Sequence, residues 1–221
     1  SFVFFVIGFS VSSYKEEAGI FYYRFPGEEK GSISGIVSKD FLSITGDGVS
    51  TMQELLSQYK RYVLQLPVLK KMFGDQLNHV LGKGEIKTLV PFGNHARGSK
   101  FMDASHEADA RLIEVIDNIC RQIPQFYFGR MDIKFNSWED LRNGKNFDII
   151  ELNGSGSEPT HIYDPQHSVF FAWKEIIRHW KLLYRISMLN HKLYKIPFMT
   201  FKEGSAMFKA NAEHLKKVGE E

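Results

Sequence analysis

Two stretches hold residues whose types and spacing could do chemistry: "RMDIKF" (130–135) and "NFDIIELNGSGSEP" (146–159). Asp132 lies in the first; Glu151 and Asn153 stand two apart in the second. Two carboxylates and an amide make a set of hard oxygen donors. Mg²⁺ suits such a set, because it takes one or two carboxylates and fills its octahedron with water or phosphate oxygens. Carboxylates this close repel and raise a pKa unless a cation sits between them. That cation is either a metal or a neighbouring side chain, Arg130 or Lys134. In the second case the cluster is an exposed, salt-bridged sheet face, and both readings stay open here. Gly154, Ser155, Gly156 and Ser157 follow directly. Glycines let backbone N–H groups approach an anion and serines add hydroxyl donors; a flexible turn has the same composition.

Strands must position these groups. Alternate residues of a strand share a face. Met131, Ile133 and Phe135 then point one way, and Arg130, Asp132 and Lys134 the other. In the second stretch Ile150 and Leu152 take one face, and Glu151 and Asn153 share the other. Paired as a hairpin with apolar faces together, the two strands bring Asp132, Glu151 and Asn153 onto one open face. Upstream, "EEAGIFYYRFP" reads as a strand stopped by Pro26-Gly27, and "GSISGIVSKDFLSI" as one or two more, hairpin-linked to it. Thr51 and Glu54 have capping-box spacing before a helix striped by Met52, Leu55, Leu56 and Tyr59. A short helix is expected near Leu69 and a strand at "EIKTLVPFG". A helix runs from its cap Ser105 through Leu112, Val115, Ile116, Ile119 and Ile123. A polar loop with Trp138 and Asn143-Gly144 joins the two site strands. "SVFFAWKEIIRHWKLLYRISMLN" is a long helix, and the basic last thirty residues are a helix with a frayed end. The order predicts an α+β fold with a mostly antiparallel sheet.

Composition narrows the function classes. The chain has 221 residues, 43% hydrophobic and 24% charged, with nineteen Phe; that is enough to bury a sizeable core. A net charge of +2 gives no argument for nucleic acid. The single cysteine, Cys120, excludes an internal disulfide framework and a cysteine zinc cluster, and fits a reducing, cytoplasmic setting. "SFVFFVIGFSV" is about ten apolar residues, half of the roughly 20 a bilayer span needs, and it lacks a basic signal-peptide flank. It reads as a buried strand, with residues 1–15 a remnant of a longer protein and a membrane partner not expected.

At the acidic strand pair the sequence resembles the ATP-grasp superfamily, whose pattern is an Asp on one strand, Glu-x-Asn on the next, and a small-residue loop. Here it stands as "GRMDIKF…IIELNGSGSEP". "TGDGVSTMQELL" is similar to the Gly-Asp-Gly segment before a helix in cyanophycin-synthetase-like ligases. "IKTLVPFGNHARGSKFMDAS" resembles the segment there with an Asn, a basic-glycine turn and an Asp. The three occur in the same order, across about residues 17–160, and D-alanine–D-alanine ligases share the strand pattern. The resemblance implies an ATP-dependent carboxylate–amine ligase, which activates a small-molecule carboxylate as an acyl phosphate for attack by an amine. It implies Asp132, Glu151 and Asn153 as ligands of Mg²⁺, two ions in all, with Mn²⁺ as a substitute. Arg130, Asn94 and Arg97 would act on the transferring phosphoryl group or the acceptor. Gly98, Gly154, Ser155 and Glu17 would line the nucleotide or substrate, with Arg24 a lesser candidate. It further implies that residues 16–162 are the second subdomain of an ATP-grasp pair, followed by a helical extension at 163–221. The first subdomain would lie upstream, so this chain alone is expected to be inactive.

A different class also fits the sequence: a binding module of the same fold that docks a partner through the aromatic C-terminal helix. Phe170, Trp173 and Trp180 are spaced either for a core face or for such docking. His161 is expected at the surface or in a cap, Asp47 in a turn that sets a helix start, and Cys120 in the core.

Overall fold

The computed structural model describes residues 12, 14–91, 93 and 98–219. The apolar stretch 1–11 and the predicted site residues Asn94 and Arg97 lie outside the described residues. In chain order come β1 (Glu16–Tyr23), β2 (Ser32–Asp40), β3 (Leu42–Thr45), α1 (Met52–Ser57), α2 (Lys60–Val63), α3 (Leu66–Phe73), β4 (Ile86–Val90), β5 (Lys100–Asp103), α4 (Ala110–Arg121), β6 (Phe128–Phe135), α5 (Trp138–Arg142), β7 (Phe147–Asn153), α6 (Val169–Tyr194) and α7 (Phe201–Gly219). One sheet has the strand order β5-β2-β1-β6-β7; β3 and β4 form a separate ribbon. Every pairing between these strands is antiparallel, so the α+β class expected from the sequence is the observed one.

Strand alternation divides the main sheet into two faces. Ala18, Ile20 and Tyr22 of β1 join Met131 and Ile133 of β6 against Leu112, Ile116 and Cys120 of α4. Cys120 is therefore a core residue, and burial drives its thiol pKa upward. The same core holds one acid: Asp117 accepts from the Tyr22 hydroxyl at 2.7 Å and from Gly31 N–H at 2.9 Å. On the opposite face Phe21 and Phe128 pack against Ile186 of α6. Leu42, Ile44, Leu56 and Leu69 form a further cluster between the β3–β4 ribbon and its helices.

Local signals hold at several places. Thr51 Oγ1 accepts from Glu54 N–H at 3.2 Å while Glu54 accepts from Thr51 N–H at 2.8 Å, a complete capping box. Asp47 is a turn residue that accepts from Val49 and Ser50 N–H. Others are corrected. The helix predicted from Ser105 starts at Ala110, where Asp109 caps Leu112 N–H at 2.8 Å; Ser105 lies in a short 3₁₀ turn. Its hydroxyl accepts from Ile36 N–H at 3.1 Å, tying that turn to β2. The polar loop around Trp138 is helical, because Ser137 caps Asp140 N–H. No helix among the described residues is long and apolar enough to cross a membrane.

The β7 alternation also differs from expectation. The pairing with β6 runs Asp132↔Glu151 and then Ile133↔Ile149, so Ile150 is the extra residue of a bulge. Phe147, Ile149 and Leu152 therefore meet the α4 core, where simple alternation had placed Ile150.

Candidate functional site

β6 and β7 carry the site by register. Arg130 stands opposite Asn153 and Asp132 opposite Glu151, and directly opposed residues of an antiparallel pair share a face. All four therefore stand on one face, the one turned away from α4. Asp132 is buried, while Glu151 is exposed. Arg130 Nε donates to Asp132 Oδ1 at 2.8 Å, and Lys39 Nζ to Asp132 Oδ2 at 3.0 Å. Lys39 also donates to Glu17 Oε1 at 2.8 Å, and Glu17 Oε2 accepts from Gly93 N–H at 3.1 Å. In the carboxamide orientation that satisfies both of its ends, Asn153 donates to Glu151 Oε1 at 3.1 Å and accepts from Arg130 Nη2 at 3.2 Å.

Electrostatics follow from this placement. Burial by itself would raise the Asp132 carboxyl pKa, but the adjacent Lys39 and Arg130 outweigh it and hold the pKa below the ordinary range. Space for the cluster comes from β1. A Cβ on Gly19 would meet Asp132 Oδ1 at 2.9 Å and Arg130 Cδ at 3.1 Å. A side chain there would displace the acid–base pair that crosses β1.

The structure brings together five of the described candidates: Glu17, Arg130, Asp132, Glu151 and Asn153. It adds Lys39, which sequence reasoning missed. No local signal in β2 marks Lys39, because its partners are set by the register of β2, β1 and β6. Lys134, offered as a counter-ion, instead donates to the Pro91 carbonyl at 3.3 Å and lies 5.4 Å from the Phe41 ring centre. Gly98 has φ +96° and packs against Leu42, and its carbonyl accepts from Arg61. Gly154 and Ser155 are exposed in a turn closed by Ser157, and they border a cavity of about 480 Å³ whose wall includes Phe126, Phe128 and Ile186. None of the acid–base cluster lines that cavity. Arg24 follows the far end of β1, over the Tyr127 ring.

His161 departs from the surface or capping position expected for it. It is buried, its ring lies over Gly35, and its Nε2 is 3.2 Å from Glu175 Oε2 of α6. Arg178 donates to the Glu175 carboxylate and to the Ser34 carbonyl, while His179 Nε2 is 2.9 Å from Ser34 Oγ. Burial pushes the His179 pKa down to about 4 and lowers that of His161. This polar network anchors α6 to β2. Trp173 and Trp180, for which a core role was one reading, are exposed on the other side of α6.

Among the described residues no three His, Cys, Asp or Glu side chains converge as a ready metal cage. The site offers two carboxylates at opposed positions and an amide oxygen. That donor set fits Mg²⁺ only as part of a shell completed by phosphate or water oxygens. Lys39 and Arg130 beside it could share the negative charge of such a phosphate.

No family model matches the chain, and no curated protein matches it. Among solved structures it is similar to the crystal structure of a bifunctional glutathione synthetase from Pasteurella multocida, at 14% identity and a TM-score of 0.45. The match covers 81% of this chain and 24% of that one. The chain thus spans about a quarter of that protein, and a likeness this loose transfers neither reaction nor substrate.

Proposed function

We propose that the chain is the catalytic part of an ATP- and Mg²⁺-dependent ligase of ATP-grasp type, which activates a small-molecule carboxylate for coupling to an amine. The observation that carries the reading is the β6–β7 register, Arg130↔Asn153 and Asp132↔Glu151, on one face of the sheet. In this reading Asp132, Glu151 and Asn153 hold the metal ions. Mg²⁺ would neutralise charge on the transferring phosphoryl group. Arg130 and Lys39 orient its oxygens; Glu17 holds Lys39 in place. Residues 16–162 form the second ATP-grasp subdomain, an upstream subdomain completes the nucleotide cleft, and 163–221 are an extension. A cytoplasmic setting belongs to the same proposal, supported by the lone, buried Cys120.

Glu151 is exposed, so Glu151→Gln leaves the fold intact and isolates its role. Thermal unfolding with Mg²⁺ and ADP is the test. At about a hundred times its dissociation constant a ligand adds roughly 2.7 kcal/mol. The wild-type melting temperature should rise by several degrees and that of Glu151→Gln should not. Equal rises in both chains would remove Glu151 from the metal site and overturn the reading.

A further inference from the structure

We propose that the outward face of α6 docks an acidic amphipathic helix of a partner protein. α6 is apolar on two sides. Its inner side packs on the sheet through Ile186, Leu182 and Leu183. Its outer side shows Phe170, Trp173, Ile177, Trp180 and Tyr184 at 73, 58, 50, 69 and 67% exposure. A surface helix normally turns one apolar stripe to the core and polar residues to solvent, so a second apolar stripe calls for cover of its own. The five residues are spaced 3, 4, 3 and 4 apart. That is the a/d spacing of a coiled-coil seam, about 21 Å long. A bilayer surface calls for a broader apolar face; a narrow seam matches another helix.

Area and charge choose the occupant. At about 150–250 Å² per aromatic side chain, the five expose roughly 600–700 Å². That exceeds the largest apolar patch of most monomers and approaches the ~800 Å² that one partner contributes to a specific interface. α6 carries five basic residues and one acid. That acid, Glu175, is buried and tied to His161 and Arg178. Lys174 and Lys181 stand exposed directly beside the seam. A second copy of α6 would set lysine against lysine, whereas a helix with Glu or Asp at its flanking positions complements both the seam and its rim.

The test uses the 221-residue chain and two synthetic helices of about three heptads with leucine at a and d, one carrying Glu and one Lys at e and g. Binding is read by tryptophan fluorescence and by amide shifts in α6. The Glu helix should bind at least about tenfold tighter than the Lys helix, with the gap shrinking as salt is raised. The double variant Trp173→Ala/Trp180→Ala, altered only at exposed positions, should lose at least about tenfold in affinity for the Glu helix. Equal affinity for the two helices overturns the proposal, as does binding that the double variant retains. So do two other outcomes in the absence of Glu-helix binding: sedimentation with phosphatidylserine vesicles, or Trp-dependent self-association.

Discussion

Lys39 is the residue on which the acid–base cluster turns. Its side chain is 5% exposed, and its ammonium joins two acids whose side chains are 3 and 4% exposed. A buried pair that loses one partner leaves an uncompensated charge, which typically costs about 3–5 kcal/mol. Lys39→Met should therefore lower unfolding stability in urea by that order. Glu17→Gln in the same chain should recover part of the loss, because Asp132 keeps Arg130 while Glu17 is left with only the Gly93 N–H among the polar contacts described above. A loss below about 1 kcal/mol would mean that water, rather than Lys39, balances the two carboxylates.

Two bulges decide how the elements meet. On β2 the pairing runs Phe21↔Gly35 and then Tyr22↔Ile33, which leaves Ser34 as the extra residue. That residue is the one whose hydroxyl and carbonyl meet His179 and Arg178 of α6. Gly35 beside it carries His161, because a Cβ there would lie 2.3 Å from the His161 ring. Gly35→Ala should cost on the order of 2–3 kcal/mol, as overpacking does, and should speed hydrogen exchange in the first turns of α6. Combined with His161→Ala, which removes the ring, it should cost much less than the sum of the two single changes. Additive costs would show that the two positions are not in contact.

At the scale of the molecule the two C-terminal helices differ in what they hold. α6 supplies Ile186 and its neighbours to the second face of the sheet. Among its described side chains α7 adds none to the three core clusters, and Phe201 and Phe208 on it are exposed. Truncation after Thr200 should keep the melting temperature within about 2–4 °C of the full chain, the shift that 1 kcal/mol gives at this size. Truncation after Pro165 should expose Phe21 and Phe128 and produce an aggregating chain without a cooperative transition. A cooperative melt of that shorter chain would show that the sheet needs no cover on this face.

The sequence by itself determined the α+β class, the positions of the site strands and the shared face of Asp132, Glu151 and Asn153. Those depend on local periodicity, which a strand expresses wherever it lies. The capping box at Thr51 and the buried Cys120 were legible for the same reason. Only the tertiary structure decided that Ile149 rather than Ile150 enters the core, that Lys39 rather than Lys134 neutralises Asp132, and that His161 is buried. The first depends on a bulge in the β6–β7 pairing, the second on the register of β2, β1 and β6, and the third on packing between α6 and β2. A single extra residue in a bulge reverses the parity of all that follow. The exposure of the α6 aromatics was equally out of reach. Spacing marks an apolar stripe but does not say which of two stripes finds the sheet first.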